Sequence, residues 1–348
     1  RLSRRGMKTP SPFDQQNRST LSQVAERAGV SPSTVSRILN GTAKVSEAKK
    51  ASVQQAIKDL NFLPDPAARS LAGGRAMSIG VLTQFIDSPF YGEALRGIED
   101  VLLKSGYSPL FVSGHWNEAE ENMRIQMLMM RKIDGLIILT GKLKDATLVQ
   151  LAKQLPVVVT GRKLRKPNLL GIDFDNHEGV SLAVRHLHAL GHQRIAFISG
   201  PLDHADAEQR LSGYRAELKA LKLAYNAKLV VNSDFSEPGG YRAAQQLIQS
   251  GVKFSGLIAA NDQMAYGARL ALSRSGLRVP EDVSLVGFDD LPHSAYTLPP
   301  LTTVRQSIYE VGTQAAQAVL QLLSGVSSTM EQIPAELVVR ESTRRYRA

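Results

Sequence analysis

The chain has no cysteine, which excludes a disulfide framework, a thiolate metal centre and a cysteine nucleophile. It has no apolar run approaching the roughly 20 residues that span a bilayer, and nothing in it resembles the apolar core of a signal peptide. Neither a P-loop nor a GxGxxG turn is present, GxSxG is missing, and the Ser, His and Asp residues suggest no triad. His188 and His192 have the i, i+4 spacing of metal ligands, but no third ligand accompanies them and Gly191 is positioned to end their helix. They are read as solvent-facing or capping residues. These absences predict a cytoplasmic protein that is not an enzyme and carries no cofactor or metal.

What is present is divided unevenly. At 348 residues the chain is long enough for two or three folding units, and 43% hydrophobic with 21% charged residues is ordinary for a globular protein. The net charge of +10 is concentrated at one end. Residues 1–77 hold 13 Lys and Arg against 5 Asp and Glu, whereas 78–348 hold 29 against 27. A basic module joined to a nearly neutral one suggests binding of a polyanion.

Residues 1–18 lack apolar periodicity and read as a flexible arm, within which Met7 is a candidate natural start. Order is expected from Thr20. Leu21, Val24, Ala25 and Ala28 follow i, i+3, i+4, i+7 on one helical face. Thr20 and Gln23 have capping-box spacing, and Gly29 suits the stop. Ser31 caps a second helix with Pro32 at its first position and Val35, Ile38 and Leu39 on its apolar face. A third helix follows Ser46 and buries Val53, Ala56, Ile57 and Leu60. Two short helices, a tight glycine turn and a supporting helix make a helix-turn-helix, whose second helix enters the major groove. Pro32, Ser33 and Arg37 lie off the apolar face, and a guanidinium such as Arg37 is suited to bidentate contact with guanine. Thr20, Ser31, Thr34, Asn40, Lys44 and Ser46 are suited to phosphate contacts. One recognition helix per chain implies a homodimer on double-stranded DNA.

Residues 64–74, PDPAARSLAGG, run from a proline-rich start to a Gly-Gly stop, with Asp65 as cap. A stretch this short does not hold a helix alone in water, so folding on binding is expected.

From residue 78 apolar strands alternate with amphipathic helices, which predicts a parallel sheet covered on both faces. The pattern repeats: SIGVLTQF, LRGIEDVLLKSGY and KIDGLIIL correspond to RIAFISGP, LSGYRAELKALKL and KFSGLIAA. Two similar α/β lobes imply a ligand cleft at the carboxyl ends of both sheets. Loops after strands offer Phe90, Tyr91 and Phe235 as faces for a sugar ring, with packing in the core as their alternative role. Arg210, Asn261, Asp262, Asp289 and Gln306 are suited to gripping hydroxyls, although Asp262, like Asp290, is read foremost as a helix cap. The helix carrying QMLMM (126–130) is apolar enough to contribute to a dimer face or to the core.

The segments TLSQVAERAGVSPSTVSRILNG and KVSEAKKASVQQAIKDLNFLPDPAARSLAGG, with QRLSGY, ANDQMAYGA, VGFDD and LTTVRQ farther on, closely resemble the LacI/GalR family of repressors over residues 19–345. The resemblance implies an N-terminal all-α helix-turn-helix DNA-binding domain plus an α/β periplasmic-binding-protein-like sensor domain of two doubly wound lobes. The helix-turn-helix then covers 19–63, a hinge 64–76 and the effector and dimerisation domain 77–345. Lobe 1 is expected at about 77–174 and 306–334, and lobe 2 at about 175–305 and 335–345. It implies a homodimer on a palindromic operator, with Pro32, Ser33 and Arg37 at the bases. Pro32 departs from the tyrosine of some members and offers no hydrogen bond. It further implies a hinge helix that inserts Leu71 into the minor groove, with Ala68 and Arg69 beside it. Ligand contact is carried onto Arg210, Asn261, Asp289 and Gln306, and more weakly onto Phe90, Tyr91, Arg162 and Phe235. The pocket composition favours a sugar effector acting as inducer. A purine-type co-repressed regulator is the alternative, and a solute-binding protein without regulatory role is the alternative of another class.

Overall fold

Thr20 and Gln23 form the expected reciprocal cap: the Thr20 N–H donates to Gln23 Oε1 at 2.7 Å, and Thr20 Oγ1 accepts from the Gln23 N–H at 3.3 Å. They open α1 (Leu21–Ala28), which Gly29 closes at φ +65°. The computed structural model describes residues 19–39, 45–62, 75–326 and 333–347. Asn40, Lys44, Ala68, Arg69 and Leu71, with the arm and most of the hinge, lie outside them. The chain divides into two compact units on either side of the Met77–Ser78 bond.

In the first unit, Ser31 Oγ accepts the Thr34 N–H at 3.2 Å and starts α2 (Pro32–Leu39). α3 (Glu47–Asp59) completes the module. Val24, Ala25, Val35, Val53 and Ala56 are its buried centre. The buried Phe62 joins them, whereas Ile57 and Leu60, expected in the buried stripe, are only partly covered at its edge. Ser46 occupies the cap position of α3, yet its side chain makes no capping hydrogen bond. An ion pair of Arg27 with Asp59 at 3.2 Å and a bond from Ser52 Oγ to the Ala28 carbonyl at 3.1 Å tie α1 to the third helix and its neighbourhood.

The second unit contains two six-stranded sheets. The first holds β1 (Ser78–Thr83), β2 (Ser108–Ser113), β3 (Gly135–Ile138), β4 (Val157–Thr160), β5 (Arg165–Lys166) and β6 (Leu169–Ile172), in the order β2-β1-β3-β4-β6-β5. The second holds β7 (Ile195–Ser199), β8 (Val230–Asn232), β9 (Gly256–Ala259), β10 (Ser284–Asp289), β11 (Thr302–Arg305) and β12 (Glu336–Val338), in the order β8-β7-β9-β10-β11-β12. The two orders agree over the first four strands and differ at the far edge, where β6 precedes β5 but β11 precedes β12; in both sheets the strand at that edge alone is antiparallel. The repeat extends to register: Ile79 faces Gly135 across β1–β3, as Ile195 faces Gly256 across β7–β9.

Helices α4 (Pro89–Lys104), α5 (Glu118–Met130), α6 (Asp145–Ala152) and α11 (Ile308–Leu323) cover the first sheet. Helices α7 (Asn176–Ala189), α8 (Ala205–Ala220), α9 (Glu237–Gln249) and α10 (Asp262–Arg274) cover the second. The chain therefore leaves the first lobe after β6, returns to it with α11, and re-enters the second with β12. Pairing of α9 with α10 depends on glycine: a Cβ on Gly267 would lie 1.9 Å from the Glu237 carbonyl oxygen. On α5, Leu128 is buried and Met129 is partly buried against the core, while Met123, Met127 and Met130 are exposed. The QMLMM run is thus half core and half surface. Among the described residues no helix is long and apolar enough to cross a membrane.

Three local expectations are corrected. His192 lies past the end of α7 and is buried, with ring nitrogens 2.9 Å from Ser255 Oγ and 3.0 Å from the Arg344 carbonyl. It neither faces solvent nor caps a helix. Asp262 is not the cap of α10: Asn261 is, accepting the Met264 N–H at 2.9 Å. Asp290 is not a cap either, because its carboxylate is held by Arg305 and Arg340, each at 2.7 Å.

Candidate functional site

The apolar stripe of α2 turns Val35 inward and leaves Ser31, Pro32, Ser33 and Arg37 at the surface. Ser31 Oγ lies 2.9 Å from both Ser33 Oγ and Thr34 Oγ1, so three hydroxyls cluster at the helix start. Arg37 stands one turn past Ser33, on the same side of the helix. This surface, polar at its N-terminal end and followed by a guanidinium, is a candidate nucleic-acid interface.

The second candidate is a cavity of about 480 Å³ in the other unit, walled by residues from both lobes. It opens where strands end, as doubly wound sheets dictate. Of the eight expected ligand residues it brings together six: Phe90, Tyr91, Arg210, Phe235, Asn261 and Asp289. The first lobe gives Phe90 and Tyr91 from the start of α4, and the Tyr91 hydroxyl is 3.1 Å from Thr140 Oγ1. The second lobe gives the remaining four. Asn261 both caps α10 and donates from Nδ2 to the Phe235 carbonyl at 2.9 Å, which holds Phe235 at φ +64°. Phe235 can stand there because Gly200 faces it; a Cβ on that glycine would lie 2.2 Å from the ring.

Arg210 organises the cavity floor. Its Nε donates to Asn176 Oδ1 at 2.8 Å, Nη1 donates to the Ala260 carbonyl, and the guanidinium lies 3.8 Å above the Phe288 ring. Asp289 sits at the end of β10 with φ +111°, its Oδ1 3.7 Å from Arg210 Nη1. That oxygen is buried and has no hydrogen-bond partner among the described residues. Burial pushes the Asp289 carboxyl well above its ordinary range, against the pull of Arg210. Asp206 is also pushed up by burial, although Arg210 and an Asn176 amide at 2.9 Å favour its charge.

Two expected residues stand outside this cavity. Gln306 lines a smaller neighbour that shares Asp289, and its Nε2 is 3.4 Å from Asn176 Oδ1. Arg162 lines another neighbour that shares Trp116 and Asp206; its guanidinium is occupied by Asp145 at 2.6 Å and the Gly141 carbonyl at 3.0 Å.

Sequence reasoning missed nine wall residues, among them two aromatic side chains, an imidazole and a buried carboxyl group. Trp116 and Phe85 come from the first lobe, His204 and Asp206 from the second. Trp116 follows β2, and His204 and Asp206 follow β7. The strand-end rule that yielded Phe90 would have found them. Beside Trp116 and His204, Lys142 of the first lobe forms an ion pair with Asp203 of the second. Lys142 is aimed by Glu121, a buried carboxylate accepting the Lys142 and Leu143 N–H groups at 3.0 Å. Asp262, behind the wall, accepts from the Leu291 N–H at 2.8 Å and from Ser294 Oγ and Thr303 Oγ1 at 2.6 Å each.

A family model described as "Bacterial regulatory proteins, lacI family" matches residues 20–65, and one described as "Periplasmic binding protein-like domain" matches 184–343. The chain is 36% identical over 304 residues to the HTH-type transcriptional regulator GalR of Escherichia coli (strain K12), covering 87% of this chain and 89% of the relative. It is 33% identical over 335 residues to the HTH-type transcriptional repressor PurR of Haemophilus influenzae (strain PittEE), covering 93% and 98%. Its fold matches the crystal structure of the lac repressor dimer bound to operator and the anti-inducer ONPF with a TM-score of 0.84 at 32% identity, covering 94% of this chain and 99% of that one.

Proposed function

Because the chain belongs to the LacI family of bacterial regulatory proteins, DNA-binding transcriptional regulators and not enzymes, we propose that it is a cytoplasmic repressor controlled by a small molecule in the interlobe cleft. Two chains place their α2 helices in successive major-groove segments of a palindromic operator. Pro32, Ser33 and Arg37 face the bases. Thr20, Ser31, Thr34, Asn40, Lys44 and Ser46 hold the phosphates, and Ala68, Arg69 and Leu71 enter the minor groove. The dimeric, operator-bound state of the lac repressor supports this arrangement.

The observation that carries the effector reading is the unpartnered Asp289 oxygen beside Arg210, inside a cavity flanked by Phe90, Tyr91 and Phe235. Aromatic faces suit the C–H face of a sugar ring, and a buried acceptor requires a donor such as a hydroxyl. Arg210, Asn261 and Asp289 grip the ligand directly. Gln306 and Arg162 act from the neighbouring cavities, through Asn176 and through the 141–145 loop. A ligand acts by binding one lobe arrangement more tightly than another, which alters the presentation of the DNA-binding modules.

The test is an anisotropy titration of the chain on its own upstream DNA, repeated with mono- and disaccharides and with purine bases. A sugar that weakens tight, salt-sensitive binding identifies an inducer. Binding strengthened by a purine places the chain with co-repressed regulators instead. Absence of specific binding to any palindromic fragment at low salt, with or without ligands, overturns the proposal.

A further inference from the structure

We propose that the cleft admits an uncharged ligand rich in hydrogen-bond donors and rejects the phosphate ester of the same molecule. This rests on the reading of the cleft as the effector site. The Asp289 side chain is 3% exposed, and its unpartnered Oδ1 faces Arg210 from 3.7 Å on the cavity wall. A buried acceptor left unmatched is unfavourable until an O–H or N–H reaches it. A saccharide hydroxyl supplies that donor, whereas an ionised phosphate offers acceptors alone.

The surrounding charge points the same way. Among the described residues lining the cavity, Arg210 is the only Lys or Arg, against the carboxyl groups of Asp87, Asp206, Asp234 and Asp289. Asp234 is balanced by Arg242 at 2.9 Å, which still leaves three carboxyl groups facing one guanidinium. Arg210 is already committed to Asn176 and the Ala260 carbonyl and cannot swing toward an anion without abandoning them. The nearest cations of the first lobe are engaged as well, Lys142 by Asp203 and Arg162 by Asp145.

Helix N-termini, which bind phosphate in many proteins, are also answered in advance. α8, α9 and α10 begin at the cavity, where Asp206, Ser236 and Asn261 line it. Their first turns carry Asp206, Glu237 and Asp262. Ser236 Oγ and Asn261 Oδ1 already accept the Gly239 and Met264 N–H groups at the starts of α9 and α10, at 3.0 and 2.9 Å, and acidic residues in these first turns disfavour a further anion. Ionised, Asp289 repels a phosphate; protonated, it offers one O–H but no positive charge to balance the phosphate.

The test uses the full chain and matched pairs: galactose with galactose 1-phosphate, glucose with glucose 6-phosphate, ribose with ribose 5-phosphate, inosine with inosine monophosphate. Affinities come from calorimetry, with thermal shift as a second readout. In any pair that binds, the unphosphorylated member is expected to be at least about tenfold tighter. Asp87→Lys, a charge reversal at an exposed lining position, should narrow that gap by strengthening the ester. An ester that binds as tightly as its parent, or a gap that Asp87→Lys leaves unchanged, overturns the proposal. Arg210→Ala and Asp289→Ala locate the binding. Ester binding lost in both variants overturns the charge argument alone. Sugar binding that survives both intact lies elsewhere, and overturns the effector reading and this proposal together.

Discussion

The indole of Trp116 lies nearly flat on the imidazole of His204, with ring centroids 3.8 Å apart and planes inclined by 23°. One ring belongs to each lobe, so the stack exists only while this side of the cleft is closed. Trp116 is the sole tryptophan of the chain, which makes it an intrinsic reporter of cleft geometry. Its intensity should change when an effector alters the lobe arrangement, and His204→Ala should shift its emission to longer wavelength as water replaces the imidazole. An emission spectrum indifferent to His204→Ala would break the link between stack and signal.

The same contact predicts a pH dependence. Burial lowers the His204 pKa from 6.5 to about 4, with help from Lys142 and against Asp203. The folded chain keeps the imidazole neutral where the unfolded chain takes a proton. Stability from this group is therefore lost as pH falls from about 6.5 to about 4, by up to about 3 kcal/mol. Asp262, pushed up to about 6 chiefly by burial, works in the other direction. Its contribution is present at low pH and is lost as pH rises through 6. The His204 part is thus the difference between the parent and His204→Gln in urea unfolding at pH 7.5 and pH 5. That difference should shrink at the lower pH.

Much of this architecture was legible in the sequence because its central strands are continuous apolar runs. SIGVLT, GLII, VVVT and IAFIS announce themselves. β11 does not, since TTVR reads as polar. Thr302 and Thr303 are nevertheless fully buried, because a Ser342 hydroxyl meets the Thr302 N–H at 2.8 Å and Asp262 meets the Thr303 hydroxyl. The partners lie 40 and 41 residues away, beyond any local pattern. β6 was obscured by Gly171 and β12 by its brevity at an antiparallel edge. In the cleft, Arg210, Asn261 and Asp289 were found through family motifs. Trp116 and His204 follow strands and were within reach of the strand-end rule, but their stacking depends on one lobe meeting the other, which periodicity within either lobe does not encode.

Arg37 supplies a prediction for the DNA-binding unit. If it forms a bidentate pair with guanine, Arg37→Ala should cost about 1–3 kcal/mol of discrimination between operator and scrambled duplex. Arg37→Lys keeps the charge and loses the fork, so it should recover non-specific affinity but not discrimination. Anisotropy titrations on both duplexes at two salt concentrations separate these effects. Equal loss on operator and scrambled DNA would reassign Arg37 to a phosphate.

Asp262 offers the sharpest test of how the cleft is held. Its two oxygens serve three donors, from Leu291, Ser294 and Thr303, joining the start of α10 to β11 and to the turn after β10. Asp262→Ala orphans the Leu291 N–H and the Thr303 hydroxyl in a site without solvent access and leaves Ser294 only the Tyr266 hydroxyl at 2.7 Å, where each unmet donor is worth about 1–3 kcal/mol. A total of about 3–5 kcal/mol is expected once the removal of a buried carboxylate is set against those losses. Asp262→Asn keeps one acceptor but turns an amide donor toward the others, so it should fall between the parent and the alanine variant. Because Asn261 caps the same helix and lines the cleft, effector affinity should weaken in step with stability. Denaturant unfolding and effector titration on the same samples check both. An Asp262→Ala chain as stable as the parent would mean that the three donors find other partners, and that the carboxylate does not hold the cleft wall.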